Sequence, residues 1–389
     1  MARKVCVLTS AHPPTDVRIF HKECKTLARA GYQVTLIATA DNHAVIDGVT
    51  LTPLPRWKSR FGRILRGPIV AYQKALDADA DIYHFHDPEL IPVALLLQGA
   101  GKTVIYDIHE DVPRTISYKT YLPGLLKEPI SRIAEIIENW AGARFSALVA
   151  ANPIIGDRFL KVNENTAIVN NYPRIEELES SAEAPADKRE SILLYVGMRI
   201  TRARGAHEMV RAVGLLPDKL HARLNLVGAW DPPDLQDSLS AIPGWDRTTF
   251  VGPLNRPGVA RELHQARVGL LILHPEPNYV TSHPVKLFEY MCAGIPVIAS
   301  DFPIWREIVT KSQCGILVDP FNAEQIAQAM EYLLTHPEEA AEMGRRGMRA
   351  VHDRYNWASE EMHLLQLYDR LSGSEAVYER NLANMGSTP

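Results

Sequence analysis

Lys286 and Glu289 lie three residues apart in a segment whose flanking residues predict a short helix. Pro284 suits a first helical turn, and Gly294 suits the left-handed residue that ends a helix. Residues three apart share a helical face, and a lysine near the positive N-terminus of a helix is unfavourable unless an anion is bound there. The pair therefore indicates a phosphate-binding site or, alternatively, a surface ion pair worth about 0.2–0.5 kcal/mol.

The remaining residues of this helix are predicted to pack. Val285, Phe288 and Cys292 recur at i, i+3 and i+7 and form an apolar stripe. We expect this stripe to be buried, which would leave the face of Lys286 and Glu289 free for chemistry.

A second group of charged residues lies in an arginine-rich loop after a predicted strand. Arg199, Arg202 and Arg204 lie between Gly197 and Gly205. The planar fork of an arginine donates two hydrogen bonds at once to an oxyanion. The loop is therefore either a further phosphate contact or simply a solvated surface.

Three histidines with neighbouring acids follow two predicted strands in the first half of the chain. His84 and His86 alternate onto one side of a strand with Asp87 after them, and His109 leaves the next strand beside Glu110. Imidazole and carboxylate at such spacing can ligate zinc or manganese. A histidine at a strand end can instead be satisfied by backbone carbonyl groups, so both readings stay open.

The elements that position these residues form two runs of alternating strands and helices. Strands are predicted at 4–9, 33–39, 81–86, 103–109, 147–152 and 167–171, and then at 192–197, 224–228, 248–252, 268–274, 296–300 and 315–319. Such alternation is typical of doubly wound parallel sheets, whose ligands gather at the carboxyl ends of strands. Asp16 and Arg18 follow the first strand, where Asp16 is either an N-cap or a substrate contact.

The length of the chain, 389 residues, predicts two domains. Residues 172–190 lose the apolar period and gather acids and serines, so we predict a linker there that lies outside the core. The predicted organisation is an N-terminal domain over 1–171, this linker, a second domain over 191–355, and a final helix and polar tail over 356–389.

The composition disfavours several classes of protein. A net charge of −4 argues against a general nucleic-acid binder, and four scattered cysteines without CxxC spacing fit reduced thiols in the cytosol. No stretch approaches the ~18 apolar residues of a membrane span, so any membrane contact is expected to be peripheral. No GxGxxG follows a strand, which disfavours a dinucleotide oxidoreductase.

The segment from Ser282 to Val297 resembles the donor-binding segment of family 4 retaining glycosyltransferases. The residues that carry the resemblance are Ser282, Pro284, Lys286, Leu287, Phe288, Glu289, Tyr290, Gly294, Pro296 and Val297. The resemblance implies the GT-B fold, with two Rossmann-like β/α domains facing a central cleft and a last helix that returns to the N-terminal domain. It also implies retaining transfer of a sugar from a nucleotide-diphosphate sugar to a glycan or lipid-linked acceptor, in bacterial cell-surface polysaccharide or glycolipid assembly, without a metal or other cofactor.

The resemblance also assigns roles to residues. Arg204 and Lys286 would hold the diphosphate, Glu289 the ribose, and His109 would lie beside the transferred sugar. Further donor contacts would come from Arg199 or Arg202, Gly205, Leu254, Thr281, Ser282, Pro284 and Leu287, and contacts on the acceptor or sugar side from Asp16, Arg18, His86, Asp87 and Glu110.

The chain departs from the family pattern at two positions of its second half. Thr281 stands where the first of two glutamates is usual, and Met198 follows Gly197 where a basic residue is usual. These departures keep two alternatives open, namely a GT-B nucleotide-sugar epimerase and a non-catalytic binding or scaffold protein.

An amphipathic pattern near residue 60 predicts that the protein docks on the anionic inner face of the cytoplasmic membrane. On helical spacing Trp57, Phe61, Ile64 and Leu65 form one apolar face. The accompanying basic residues are Arg56, Lys58, Arg60, Arg63 and Arg66, with no acid between Asp47 and Asp77. The segment 117–127 is expected to widen this contact, and the alternative is that the apolar face packs on the sheet.

Overall fold

The computed structural model describes residues 2–57, 59–118, 123–178 and 189–372. The chain divides into two compact units, of which the first holds residues 1–171 and 358–389 and the second holds residues 172–357. Each unit is built on its own largely parallel sheet.

The first unit has an eight-stranded sheet. Its strands are β1 (Lys4–Leu8), β2 (Gln33–Thr39), β3 (Ala44–Ile46), β4 (Val49–Leu54), β5 (Ile82–Phe85), β6 (Thr103–Ile108), β7 (Ala147–Ala150) and β8 (Thr166–Ile168). They lie in the order β3-β4-β2-β1-β5-β6-β7-β8, and all neighbours are parallel except β3 and β4. The six strands predicted here are confirmed with small shifts at their ends.

Strands β3 and β4 were not among the predicted strands. They form a hairpin across Asp47 and Gly48, which both have positive φ, 49° and 79°. That conformation at both central residues defines a type I′ turn, for which Asp-Gly is a favoured sequence. The Asp-Gly pair was therefore the available signal for this hairpin.

Helices cover the sheet of the first unit. They are a π-helical segment (Val17–Cys24) continuing into α1 (Lys25–Arg29), then α2 (Arg60–Ala78), α3 (Ile91–Gly99), α4 (Val112–Tyr118), α5 (Gly124–Gly142) and α6 (Pro153–Phe159). Residues from α2, α3 and α5 share one apolar cluster with β1, β5 and β6. These helices therefore form a layer on one face of the sheet.

The predicted docking segment 56–66 differs in the structure from its sequence pattern. Helix α2 begins only at Arg60, after the Ser59 N-cap, so Trp57 is not helical. Arg56 is paired with Asp41 and Arg63 with Glu89, at 2.8 and 3.0 Å. The charge of these two arginines is thus partly compensated, because the fold brings to them acids that lie outside the acid-free stretch 48–76. Lys58 lies outside the described residues, as do the side chains of Arg60 and Phe61.

The second unit has a six-stranded, wholly parallel sheet. Its strands are β9 (Ile192–Ile200), β10 (Arg223–Trp230), β11 (Thr248–Gly252), β12 (Val268–Leu271), β13 (Val297–Ser300) and β14 (Gly315–Val318), in the order β11-β10-β9-β12-β13-β14. Its helices are α7 (Ile175–Leu178), α8 (Ala206–Gly214), α9 (Leu235–Ser240), α10 (Arg256–Gln265), α11 (Pro277–Val280), α12 (Val285–Cys292), α13 (Pro303–Ser312), α14 (Ala323–Thr335) and α15 (Pro337–Asp353). All six predicted strands and the helix after Pro284 are confirmed.

The predicted linker is partly core. Tyr172 and Leu178 are buried and belong to an apolar cluster of the second unit. The prediction that 172–190 lies outside the core is therefore wrong for 172–178, because two large apolar side chains outweigh the polar composition around them. Residues 179–188 lie outside the described residues.

The last helix, α16 (Trp357–Ser372), packs on the first unit from residue 358 onward. Glu360 accepts a hydrogen bond from the backbone amide of Asn170 at 2.7 Å, and the Tyr368 hydroxyl is hydrogen-bonded to His84 Nδ1 at 2.9 Å. No described helix is both long and apolar enough to cross a membrane.

Candidate active site

Two cations lie close together at the start of helix α12. Lys286 Nζ is 5.7 Å from the centre of the Tyr195 ring, and Arg204 Cζ is 5.5 Å from that of Tyr279. Burial, with the charge of Arg204 acting in the same direction, lowers the pKa of Lys286 to about 7, although Glu289 opposes the shift. Among the described residues neither cation has a carboxylate in ion-pair contact. This arrangement is suited to an anion that would lie against both side chains.

The fold positions Arg204 through the glycine that follows it. Gly205 has φ of 71°, and a Cβ built there would lie 2.0 Å from the carbonyl oxygen of Ile272. Only glycine therefore fits where the loop after β9 meets the end of β12. Strands β9 and β12 are neighbours in the sheet. Strand β9 pairs with β10 on its other side, so the strand order runs outward from β9 in both directions. The cations thus lie at the carboxyl edge of a parallel sheet where its strand order reverses, the usual ligand position in such sheets.

Glu289 is not on a free face of helix α12, contrary to the sequence-based expectation. It is only 7% exposed, and its Oε1 accepts a 2.6 Å hydrogen bond from Arg256 Nη1. Arg256 Nε is also 3.4 Å from Glu177 Oε2. The predicted surface pair with Lys286 is not formed. Instead a buried carboxylate is held by an arginine that the sequence analysis missed.

The helix face predicted to pack also needs correction at one position. Phe288 and Cys292 are buried as expected, but Val285 is only half-buried. Leu287 is fully buried in the core. The side chain of Leu287 therefore packs in the core and is not available to contact the donor.

The other predicted donor residues make mostly local contacts. The hydroxyl groups of Thr281 and Ser282 donate to the carbonyl oxygens of Pro277 and Tyr279, at 2.7 and 3.1 Å. Arg199 is exposed and donates to Asp231 at 2.8 Å. Its charge is therefore already paired. Pro284 is the residue that immediately precedes helix α12, and Leu254 packs against the core of the second unit.

The lowered pKa of Lys286 predicts proton uptake on binding of a nucleoside diphosphate. In the ligand-free protein this lysine is partly neutral above about pH 7, and the negative charge of a diphosphate favours the ammonium form. Affinity should fall as pH rises above 7, with uptake of up to about one proton per ligand. Calorimetry in buffers of different ionisation enthalpy measures this uptake. In Lys286→Arg, whose charge does not titrate, the uptake should disappear; equal uptake in both proteins would contradict the assignment.

The first unit contains a pocket of ≈ 230 Å³ at the carboxyl ends of β5 and β6. The polar residues that line it include His12, His86, Asp87, His109 and Glu110. The structure thus brings together four residues predicted for the acceptor or sugar side. His12 was missed, and its only signal was its place in the loop after β1.

Asp87 and Asp16 shape the loop that borders this pocket. Asp87 Oδ2 accepts hydrogen bonds from the Ser10 and Ala11 amides at 2.6 and 3.2 Å. Asp16 is a helix N-cap, since its Oδ1 accepts from the amides of Arg18 and Ile19 at 2.9 and 3.0 Å. Burial alone would raise the pKa of Asp16. Hydrogen bonds from the His12 side chain and from the backbone amide of Ile19 outweigh burial and lower this pKa to about 2. The N-cap reading is therefore confirmed.

Arg18 lies in the interior of the first unit and not on the pocket. It is 3% exposed, and its guanidinium donates to both carboxylate oxygens of Asp107 at 2.9–3.1 Å and to the carbonyl oxygen of Val169 at 2.8 Å. Its Nε is also 2.9 Å from Glu23 Oε1. The prediction of an acceptor-side contact is wrong, because every part of the guanidinium is engaged by buried groups.

The same interior cluster includes the histidines considered as metal ligands. Glu23, His84, His86 and Asp107 each offer one atom within 4.8 Å of the others. Arg18 already supplies a positive charge to both carboxylates. We therefore interpret this set as a charge-compensated polar network built around the arginine.

Comparisons with known proteins extend over both units. The family model "Glycosyltransferase Family 4" matches residues 17–171, and "Glycosyl transferases group 1" matches residues 176–350. A phosphatidyl-myo-inositol mannosyltransferase of Mycolicibacterium smegmatis is 23% identical over 90% of this chain and 88% of its own length.

Solved structures show the same fold. Sucrose-phosphate synthase from Thermosynechococcus elongatus superposes with a TM-score of 0.75 at 20% identity, covering 95% of this chain and 99% of that one. HepE of Anabaena, solved in complex with UDP-glucose, gives a TM-score of 0.70 at 15% identity, covering 95% of this chain and 100% of that one. The two parallel-sheet units and the site at α12 are thus those of a glycosyltransferase with the GT-B fold. Within that class the chain belongs to the family 4 glycosyltransferases.

Proposed function

We propose that this enzyme transfers a sugar from a nucleotide-diphosphate sugar to a lipid-linked or glycan acceptor of the cell envelope, with retention of anomeric configuration. The observation that carries the proposal is the pair Arg204 and Lys286, two partly buried cations without carboxylate partners among the described residues, with the buried Glu289 on the same helix. The mannosyltransferase relative, which by its name acts on phosphatidyl-myo-inositol, supports a glycolipid acceptor.

The chemistry requires stabilisation of a leaving group more than a nucleophile. As the bond between the sugar and the diphosphate breaks, negative charge grows on the diphosphate. Arg204 and Lys286 are already held in place to receive this charge, so no metal ion is needed to neutralise it. In this proposal the leaving phosphate helps deprotonate the incoming acceptor hydroxyl, and His109 lies beside the transferred sugar.

A donor screen followed by product analysis tests this function. Thermal shifts with UDP, GDP and ADP identify the nucleotide, since a ligand at 100 times its dissociation constant stabilises by about 2.7 kcal/mol. The matching sugar nucleotides are then incubated with extracted envelope lipids in the presence of a chelator, and the anomeric configuration of the earliest product is read by NMR. An inverted product, or transfer that stops with the chelator, would refute the corresponding part of the proposal.

We also propose that the first unit docks peripherally on the inner face of the cytoplasmic membrane. Its helical layer exposes apolar side chains to an unusual degree, and Leu125, Ile136 and Trp140 of α5 are 94%, 67% and 48% exposed. Eleven of the nineteen exposed large apolar residues that the structure describes lie on three helices of this layer: Ile64, Leu65, Ile69 and Leu76 on α2, Leu96 on α3, and Leu125, Leu126, Ile133, Ile136, Ile137 and Trp140 on α5. Such a patch on one face marks an interaction surface.

Both charge and apolar contact should contribute to docking. Arg66 of α2 is exposed, and so is Arg144, two residues beyond the end of α5, whose Cζ is 4.0 Å from the centre of the Trp140 ring. Arg132 of α5 is paired with Glu128 at 2.8 Å. A basic residue near an anionic surface contributes about 1 kcal/mol. The docking surface is therefore wider than segment 56–66, and α5 supplies six of its eleven exposed large apolar side chains.

Vesicle flotation tests docking with two variants. In Arg60→Glu with Arg66→Glu, binding should lose its dependence on anionic lipid, whereas Ile136→Asn with Trp140→Asn should bind weakly at every lipid composition. Leu215→Asn, which removes a leucine that is 50% exposed from the second unit, is the matched control. Equal recovery of all variants with anionic vesicles, or binding indifferent to salt, would remove these helices from the mechanism.

A further inference from the structure

The side chain of Tyr195, on strand β9, contacts both cations of the site in the second unit. Lys286 Nζ lies over its ring, 5.7 Å from the ring centre, and its hydroxyl group interacts with the guanidinium of Arg204. Tyr195 is fully buried. One buried side chain of the sheet therefore links the two cations.

The direction of the hydrogen bonds at the Tyr195 hydroxyl group follows from its partners. A phenol has a single proton to donate, and Tyr195 donates it to the carbonyl oxygen of Arg199 at 2.9 Å. Burial raises the pKa of Tyr195, although the charge of Arg204 opposes the shift, so the hydroxyl group keeps this proton. A guanidinium group can only donate. The oxygen of Tyr195 is therefore an acceptor for Arg204.

The backbone of the arginine-rich loop leaves room for this arrangement. A Cβ built at Gly197 would lie 2.6 Å from the Tyr195 hydroxyl oxygen and 3.0 Å from the Arg199 carbonyl oxygen. The side chains of Met198 and Arg199 are 81% and 64% exposed. The phenol thus holds the main chain of a loop whose first side chains lie in solvent and whose last arginine is turned toward the site.

A neutral phenol can hold these cations without cancelling their charge. A carboxylate in the same place would compete with a bound anion for the guanidinium of Arg204. The face of a tyrosine ring attracts an ammonium group within about 6 Å of its centre. Because the charge of Arg204 disfavours the ammonium form of Lys286, a contact that attracts only this charged form offsets part of the repulsion between the two cations.

We propose that Tyr195 is a positioning residue for the diphosphate-binding cations, whose hydroxyl oxygen orients Arg204 and whose ring holds Lys286. The inference rests on the proposed function, in which these two cations bind the diphosphate of the donor. The two contributions can be separated, since Tyr195→Phe removes the hydroxyl group and keeps the ring, whereas Tyr195→Leu removes both.

A double-mutant cycle with Arg204 tests the role of the hydroxyl group without any transfer reaction. Calorimetry measures binding of whichever of UDP, GDP and ADP gives the largest thermal shift. Tyr195→Phe should weaken this binding by about 2- to 10-fold, the usual effect of one hydrogen bond, and by less than Arg204→Ala does, since Tyr279 still contacts the guanidinium. Combined with Arg204→Ala, the same substitution should cause no further loss. An equal loss with and without Arg204 would mean that the hydroxyl group acts through packing, and would overturn the proposal.

A second cycle tests the role of the ring. Tyr195→Leu should bind the same nucleotide about 2- to 30-fold more weakly than Tyr195→Phe, because the attraction between ring and ammonium is lost. This difference should vanish when both variants also carry Lys286→Met. A difference that persists without the lysine would show that the ring serves only to fill the core.

Tyr83→Phe is the matched control for the loss of a buried hydroxyl group. It makes the same substitution at a buried tyrosine of the first unit, whose hydroxyl group also donates to a backbone carbonyl oxygen, that of Ala75 at 3.0 Å. Nucleotide affinity should not change in this variant. Tyr195→Phe keeps the shape of the side chain, so its cycle decides the proposal even if Tyr195→Leu does not fold. A wild-type protein that binds none of the three nucleotides would refute the proposed function as well, whereas binding with equal losses in both backgrounds would refute only the role of Tyr195.

Discussion

Replacement of Arg204 by alanine should lower turnover by about 10²–10³-fold, the loss found when one preorganised donor to a developing oxyanion is removed. The guanidinium is partly buried beside Tyr195 and Tyr279 and lacks a carboxylate partner among the described residues. Its charge is therefore available to the diphosphate as the sugar leaves. Lys286→Ala should behave similarly, because the bound diphosphate favours the ammonium form of the lysine. Only the loss of affinity should be smaller above about pH 7, where the lysine of the ligand-free protein is already partly neutral.

The measurement is single-turnover kinetics together with calorimetry of the free nucleotide. Turnover should fall more than affinity, because the charge on the leaving group is greatest in the transition state. Arg211→Ala is the control, since it removes an exposed arginine from helix α8, which begins directly after Gly205. Turnover within about twofold of wild type in either site variant would mean that its residue does not serve the transition state.

The parts of the site that could be predicted from sequence are those defined by local signals. Pro284 and Gly294 bracket helix α12, and apolar runs mark the parallel strands whose carboxyl ends carry Arg204 and His109. The sequence identifies Gly205 as the end of the arginine-rich loop. Only the fold shows why a glycine is required there, since a Cβ at this position would collide with the carbonyl oxygen of Ile272. Short-range patterns thus locate the edge of the sheet at which ligands bind.

The parts that could not be predicted are pairs of charges distant in sequence. Arg256 and Glu289 are 33 residues apart, and Arg18 and Asp107 are 89 apart. A single sequence gives no measure of which charges meet, so Glu289 was expected on a free face and Arg18 at the pocket. The fold reverses both expectations, because each charge is buried only where an opposite charge is close enough to offset desolvation.

Replacement of Glu289 by alanine should weaken nucleotide binding by about 10- to 150-fold, which corresponds to about 1.5–3 kcal/mol for a hydrogen bond to a charged group. In the proposed function this carboxylate accepts from the ribose hydroxyl groups. Arg256 holds Oε1 at 2.6 Å in the ligand-free protein. The carboxylate is therefore oriented before the ligand arrives, and little conformational entropy should be lost on binding.

A double-mutant cycle with Arg256 separates contact from orientation. Arg256→Met should weaken binding less than Glu289→Ala does, because the carboxylate remains but loses its fixed position. The double variant should bind no more weakly than Glu289→Ala alone, since Arg256 then has no carboxylate to orient. Calorimetry with the free nucleoside diphosphate, and with the diphosphate moiety alone as control, measures the four affinities. The pyrophosphate control should be unaffected, because it lacks a ribose. Unchanged nucleotide affinity in Glu289→Ala, or an equal loss for pyrophosphate, would show that Glu289 does not bind the ribose.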